Sequence, residues 1–180
     1  MRSRRAHSCS SGLLKKGHDR PTVVIPALGL ELSMPEIIGI DHIYITVSDL
    51  ERSEEFYDVV MDIIGFRKTR FQIGAEKHIQ YYNRHFGVVL RPARSANSHD
   101  PYAPGLHHLC LRVDGEKDVH AAASTLKAHG ISVSEPRRYP EYAPDYFAVF
   151  FSDPDGIRLE ITNYWQERRQ RHDHWDNSNP

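Results

Sequence analysis

Apolar and polar residues alternate in two stretches of this sequence, residues 38–47 and 105–113, and each stretch contains a histidine. Successive side chains of a β-strand point to opposite faces, so the alternation predicts one strand with an aliphatic face in each stretch. The other face carries His42 in the first strand and His108 in the second. We expect the aliphatic faces to pack on helices, with both histidines pointing away from them and His107 turned to the helix side.

A helical pattern and three short strand patterns follow each of these strands. Ser48 and Glu51 have the spacing of a capping box, and Gly65 is a natural helix end. In the second half, Asp114 is expected to cap a helix that ends at Gly130. The predicted strands after the helices are residues 66–72, 77–83 and 86–92 in the first half, and 131–134, 146–152 and 157–162 in the second. The order strand, helix, strand, strand, strand therefore occurs twice.

Composition changes at both ends of the chain. Residues 1–35 are rich in arginine, lysine and serine and lack clear periodicity, so they are expected to be a disordered tail or a targeting segment. An over-long start, with the natural one at Met34, is a further alternative. The folded domain is predicted at residues 36–165, with modules at about 38–92 and 105–163, and residues 166–180 as a polar tail. The location is expected to be cytoplasmic, or an organelle if residues 1–33 are a targeting peptide.

Length and charge exclude several classes of protein. The chain has 180 residues, a formal net charge of -1 and 39% hydrophobic residues. This balance gives no reason to expect nucleic acid as a partner, and no apolar run approaches membrane-spanning length. Cys9 and Cys110 lie in unlike contexts, so no disulfide is predicted and a reducing compartment is expected.

The last predicted strand adds a carboxylate to the two histidines. Ile157, Leu159 and Ile161 form its aliphatic face, so Glu160 points the same way as the histidines. Two imidazoles and one carboxylate form a typical facial set for a divalent metal with open positions. The sequence therefore predicts a three-residue metal site of His42, His108 and Glu160.

The first half offers no counterpart to Glu160. Aligning Gly87 with Gly156 places Arg91 at the corresponding position, and a slip of two residues places Val89 there. Neither residue type binds metal. Three polar side chains lie nearby with their faces unassigned and are weaker alternatives: His78, Gln80 and His85.

Two features are expected to serve a substrate. Arg91 would place a cation near the site, which suits an anionic substrate, although a solvated arginine at a strand end fits equally. Residues 136–146 are rich in Arg, Tyr and Pro and form either a loop that covers the site or a rigid surface loop. The candidate substrate-binding residues of this loop are Arg138, Tyr142 and Tyr146.

Three motifs, DHIYITVSDLERSEEFY, GLHHLCLRVD and FFSDPDGIRLEIT, resemble the vicinal oxygen chelate superfamily over about residues 39–164. This superfamily includes glyoxalase I, bleomycin-resistance proteins, extradiol dioxygenases and fosfomycin-resistance thiol transferases. The resemblance implies an α+β fold of two βαβββ modules that curl around a metal site. His42, His108 and Glu160 match the ligand positions of the superfamily.

The resemblance implies a metal-dependent enzyme, a lyase or isomerase of the glyoxalase type or a dioxygenase, with Fe, Mn, Zn or Ni. It would chelate adjacent oxygens of a small anionic substrate, and a homodimer is expected. Two alternatives are a metal-free ligand-binding protein of the bleomycin-resistance type and a thiol transferase of the fosfomycin-resistance type. The sequence departs from glyoxalase I, which has a fourth ligand in its first module. It also departs from the extradiol pattern, since Phe150 replaces a tyrosine.

Overall fold

The computed structural model describes residues 22–25, 30–33, 37–95 and 97–164 of the chain. Two short strands, β1 (Thr22–Ile25) and β2 (Leu30–Ser33), pair in antiparallel fashion as a separate two-stranded sheet. They lie in the segment for which we expected no regular structure. Five of their eight residues are aliphatic, which suits short paired strands. The remainder of the expected tails lies outside the described residues.

The first module consists of one helix and four strands. Its elements are β3 (His42–Val47), α1 (Leu50–Ile63), β4 (Arg67–Ile73), β5 (Glu76–Tyr82) and β6 (Gly87–Pro92). The sheet has the order β3-β6-β5-β4, with β3 parallel to β6 and the other neighbours antiparallel. The strand that carries His42 is therefore an edge strand.

The second module repeats this arrangement. Its elements are β7 (His108–Arg112), α2 (Glu116–Ala128), β8 (Arg137–Arg138), β9 (Phe147–Ser152) and β10 (Arg158–Thr162). The sheet has the order β7-β10-β9-β8, and β7 is parallel to β10. Two βαβββ modules are thus present, which confirms the predicted α+β fold. Neither helix is long and apolar enough to cross a membrane, within the part of the chain described.

Side-chain burial follows the predicted faces. In β3, Ile45 and Val47 are buried, whereas His42 is exposed. In β7, Leu109 and Leu111 are buried, whereas His108 is exposed. The buried residues join one core with the helices, because an alternating strand can bury only one face against them. The opposite face of each sheet is left for the candidate site.

Three local predictions were wrong. Residues 131–134 form no strand, because their pairing with β9 is limited to a single bridge from Val133 to Phe151, and regular pairing starts at Arg137. Helix α1 is capped by Asp49 instead of Ser48, whose backbone and hydroxyl both donate to Asp155. Helix α2 begins after Gly115, whose backbone N–H donates to Asp118 over 3.0 Å.

The turn between β9 and β10 joins the two modules. Asp155 accepts hydrogen bonds from the Ser48 backbone at 2.7 Å and from Arg52 at 2.7 Å. Asp153 is 5% exposed and accepts a bond of 3.0 Å from the Tyr57 hydroxyl. Its other oxygen accepts from the backbone N–H groups of Asp155 and Ile157. The turn that precedes the Glu160 strand is therefore bound directly to helix α1.

We predict that the difference in stability between wild type and Asp153→Asn depends on pH. Burial raises the pKa of Asp153 above its usual range despite the hydrogen bonds that it accepts. A carboxyl with a raised pKa in the folded state stabilises the fold below its unfolded pKa, and this contribution is lost as pH rises through the folded pKa. The free energy of unfolding of Asp153→Asn, measured relative to wild type by urea titration, should therefore rise as the pH increases above about 4, the ordinary pKa of an aspartate. A difference that is constant with pH would contradict this.

Candidate metal centre

Two of the three predicted ligands lie together in the second module. β10 pairs with β7 in a register that aligns Arg158 with His108 and Glu160 with Cys110. Nε2 of His108 lies 3.3 Å from Oε2 of Glu160. Glu160 is only 3% exposed, and a buried carboxylate is generally paired or bound to a metal. The parallel pairing thus creates the closely spaced nitrogen and oxygen donors that the sequence predicted.

Tyr146 fixes the other oxygen of this carboxylate. Its hydroxyl donates a hydrogen bond to Oε1 of Glu160 and lies 3.9 Å from Sγ of Cys110. Burial and the bond to Glu160 raise the pKa of Tyr146 above its usual range, so the phenol stays protonated and remains a donor. Burial and the same carboxylate raise the pKa of Cys110 to about 12, so the thiol is neutral at physiological pH. Oε2 is left facing His108.

His107 does not point to the helix side, so that prediction was wrong. It precedes the first residue of β7, and its exposed ring lies against His108 with the two Nδ1 atoms 2.8 Å apart. Strand alternation does not extend to a residue outside the sheet. The contact holds His108 at Nδ1 and directs its Nε2 towards Glu160.

His42 is held in the same way on the equivalent strand. Its Nδ1 donates to a carboxylate oxygen of Asp41 over 2.6 Å, which leaves Nε2 as the atom with the lone pair. Within the described residues of one chain, however, no three His, Cys, Asp or Glu side chains gather as a metal-binding group. The structure therefore unites His108 with Glu160 and does not bring His42 to them within one chain.

Strand pairing corrects the comparison of the two modules. His42 aligns with Gly87 in the first module, as His108 aligns with Arg158 in the second. The position equivalent to Glu160, two residues further on, is Val89 and not Arg91. Aligning the two glycines was misleading because Gly87 is inside β6, whereas Gly156 lies in a turn before β10. Val89 has no donor atom, so the first module supplies no carboxylate at this position.

The other candidates occupy different surroundings. Arg91 and Arg94 both bind Glu76, and Arg138 binds Glu116 and lies 3.5 Å from Asp145. Tyr142 is 63% exposed and stacks on Tyr139. Of the four candidate substrate-binding residues, Tyr146 is thus the one in contact with a predicted ligand.

The weaker candidates in the first module are spread over two places. His78 is buried against the ring of Phe71, and its Nδ1 lies 3.1 Å from the carbonyl oxygen of Glu76. Gln80 is aligned with Val89 in the sheet. His85 lies in the turn before β6, where its backbone N–H donates to Asn83.

Sequence reasoning missed three contributors around His108: His107, Tyr102 and Arg158. Nη1 of Arg158 lies 3.2 Å from the hydroxyl of Tyr102 and 3.4 Å from Nε2 of His107. The ring of Tyr102 meets the His107 ring edge-on. Adjacency to His108 was the only signal for His107, and no local pattern links Tyr102 in the linker to a strand more than fifty residues away.

The chemistry of these donors fits a divalent metal ion. Each candidate histidine has its Nδ1 engaged by a neighbour, and an imidazole held in this manner typically binds metal through Nε2. The carboxylate is buried and oriented by a phenol. Imidazole and carboxylate together suit Fe, Mn, Zn and Ni.

A family model described as the Glyoxalase/Bleomycin resistance protein/Dioxygenase superfamily matches residues 39–161. The uncharacterized protein YaeR of Escherichia coli K12 is 33% identical over 131 residues, which cover 68% of this chain and 93% of YaeR. Metallothiol transferase FosB of Bacillus licheniformis is 29% identical, over 70% of this chain and 75% of FosB. A solved glyoxylase/bleomycin resistance protein/dioxygenase domain from Frankia superposes with a TM-score of 0.60 at 23% identity, covering 71% of this chain and 98% of that domain.

The fold of two βαβββ modules agrees with these matches. The chain belongs to the Glyoxalase/Bleomycin resistance protein/Dioxygenase superfamily, also called the vicinal oxygen chelate superfamily. Its members include dioxygenases, and the relative FosB is named as a metallothiol transferase.

Proposed function

We propose that this protein is a metal-dependent enzyme of the glyoxalase or dioxygenase type, with His42, His108 and Glu160 as metal ligands. Its substrate is a small anionic molecule with two adjacent oxygens. The observation that carries the proposal is the contact between Nε2 of His108 and Oε2 of the buried Glu160. Asp41 holds Nδ1 of His42 in a similar way, which supports His42 as the third ligand.

We propose further that each site is completed by two copies of the chain. His42 and His108 both lie on edge strands, and their side chains are 47% and 40% exposed. A symmetric dimer repeats every contact twice, so the β3 edge of each copy can meet the β7 edge of the other. Such pairing covers both exposed edges and brings His42 of one copy to His108 and Glu160 of the second.

The residues around the site have separate tasks in this proposal. Asp41 and His107 hold the two imidazoles, and Tyr146 holds the carboxylate so that one oxygen is directed to the ion. A divalent ion bound there supplies Lewis acidity for two neighbouring substrate oxygens. Val89, in place of a fourth ligand, leaves coordination positions open for that chelation.

The similarity to FosB supports one further reaction class for the same ligands, the transfer of a thiol to a small substrate. Assays with a different substrate for each reaction distinguish the glyoxalase, dioxygenase and transferase possibilities.

Metal analysis of the purified protein tests the proposal. We expect a stoichiometric divalent metal after dialysis, and activity with methylglyoxal plus glutathione, with catechol, or with fosfomycin plus a thiol. Protein that binds none of Fe, Mn, Zn and Ni stoichiometrically would contradict it. That result would favour the ligand-binding alternative.

Tyr146→Phe is predicted to weaken metal binding by about ten- to hundred-fold, the usual effect of losing a residue that orients a ligand. The phenol donates to Glu160, and phenylalanine keeps the ring but removes the donor. Isothermal titration with Mn²⁺ measures the change. Tyr142→Phe is the matched control, since this exposed tyrosine packs on the rings of Tyr139 and Tyr146, contacts that phenylalanine keeps, and the bond to Glu160 comes from Tyr146. Equal affinities in both variants would show that the bond to Glu160 is unimportant.

A further inference from the structure

Arg158 lies beside the proposed metal ligands. It is two residues before Glu160 in β10, so both side chains point to the same face, and its register partner in β7 is His108. The residue is partly buried. The equivalent position of the first module is Gly87, so this cation is present in the second module only.

The charge of Arg158 is not neutralised by a carboxylate within the described part of the chain. Its side-chain nitrogen Nη1 contacts the hydroxyl of Tyr102 and the ring of His107. Several other arginines are ion-paired: Arg52 with Asp155, Arg70 with Glu54, Arg91 and Arg94 with Glu76, and Arg138 with Glu116. A partly buried guanidinium without a counter-ion at a candidate site is suited to an anionic ligand.

The contact with His107 depends on the tautomer of the two histidines. Arg158 can donate to Nε2 of His107 only if that atom has a lone pair. When His108 presents its own Nε2 to a ligand, the proton on its Nδ1 is donated to Nδ1 of His107. Nε2 of His107 then carries the proton of that ring and cannot accept from Arg158. Occupation of His108 therefore leaves the guanidinium with donors for another partner.

We propose that Arg158 binds the anionic group of the substrate, a carboxylate or a phosphonate, next to the metal centre. The inference rests on the proposed function and assigns the charge recognition to this residue. The guanidinium offers two parallel N–H donors, which match two oxygens of such a group. The hydroxyl of Tyr102 fixes one nitrogen of the fork. Tyr102 is 81% exposed, so its hydroxyl can contact the same ligand.

The test compares Arg158→Gln with wild type in two titrations. The first measures Mn²⁺ affinity, which is expected not to fall because Arg158 is not a ligand and its charge repels the ion. The second adds oxalate or phosphonoformate to the Mn²⁺-loaded protein, and we expect about ten- to hundred-fold weaker binding in the variant, the loss typical of a charge-assisted pair. The anion that shows the larger loss identifies the preferred group.

Two further variants separate geometry from charge. Arg158→Lys keeps the charge but loses the fork, so intermediate affinity is expected. Arg94→Gln removes the same charge from an arginine already bound to Glu76, and its anion affinity should equal that of wild type. Equal anion affinities in wild type and Arg158→Gln would overturn the inference. An equal loss in Arg94→Gln would also overturn it, because net charge alone would then explain the effect.

The same titrations distinguish this inference from the proposed function. If wild type binds no Mn²⁺, the proposed function fails, and the anions are then titrated without metal. Weaker phosphonoformate binding in Arg158→Gln under those conditions would support an anion site that needs no ion. Equal binding would overturn the inference as well. If Mn²⁺ affinity falls as much as anion affinity in Arg158→Gln, the residue supports the metal site and the inference is wrong.

Discussion

His108→Ala is expected to abolish stoichiometric metal binding, with a loss of affinity well above about a hundred-fold. The substitution removes an Nε2 donor that faces a buried carboxylate at 3.3 Å. Replacing a residue that only orients a ligand lowers metal affinity by about ten- to hundred-fold. Replacing a direct ligand should therefore lower it further. Metal content after dialysis and Mn²⁺ titration both measure the effect.

His107→Ala provides the comparison within the same dipeptide. Because His107 contacts Nδ1 of His108, metal affinity in His107→Ala should fall by about ten- to hundred-fold. His120, which is exposed on α2 and packs on Phe147, is a control whose replacement by alanine should have no effect. Equal losses for His107→Ala and His108→Ala, or no loss in either, would disprove the assignment of His108 as a ligand.

Combining a His42→Ala chain with a Glu160→Ala chain in one dimer is expected to restore the metal binding that each variant lacks on its own. His42→Ala and Glu160→Ala homodimers each lack one ligand at every site and should bind little metal. In a heterodimer isolated by two different affinity tags, the intact His42 of one chain meets the intact His108 and Glu160 of the other. One complete site results, and the metal content should be about half that of wild type for two equivalent sites.

The heterodimer result depends on how ligands are shared between chains. If every site were formed within a single chain, each chain of the heterodimer would lack a ligand and no metal would be restored. A monomeric mass in sedimentation at micromolar concentration would likewise contradict the shared site. A dimer of two His42→Ala chains that differ only in their tags controls for the purification, and it should remain without metal.

The sequence was sufficient to predict the faces of β3, β7 and β10. These strands bury one side against helices, so their side chains must alternate, and His42, His108 and Glu160 follow from that period. The repeated order of strands and helices was predicted from such patterns as well, and the structure confirms it. Local alternation ends with the strand, however, which is why the orientation of His107 was predicted wrongly.

Contacts between distant residues could not be predicted from local patterns. Ser48 was assigned as a helix cap because its spacing from Glu51 is typical, yet its hydroxyl serves Asp155, more than a hundred residues away. Arg158 shares the face of Glu160 by alternation, but its contact with Tyr102 depends on the path of the linker and has no local signal. Likewise, Gly87 and Gly156 look equivalent in sequence, whereas only strand register shows that Val89 occupies the position of Glu160.

The binding of the β9–β10 turn to helix α1 has a consequence for the linker between the modules. Because Asp153 and Asp155 already attach the second module to the first, the two halves do not depend on the linker for their attachment. A change in the length of the linker is therefore expected to cost little stability, while it moves Tyr102 relative to Arg158. The linker can in this way alter the surroundings of Arg158 without disturbing the strands that carry His42, His108 and Glu160.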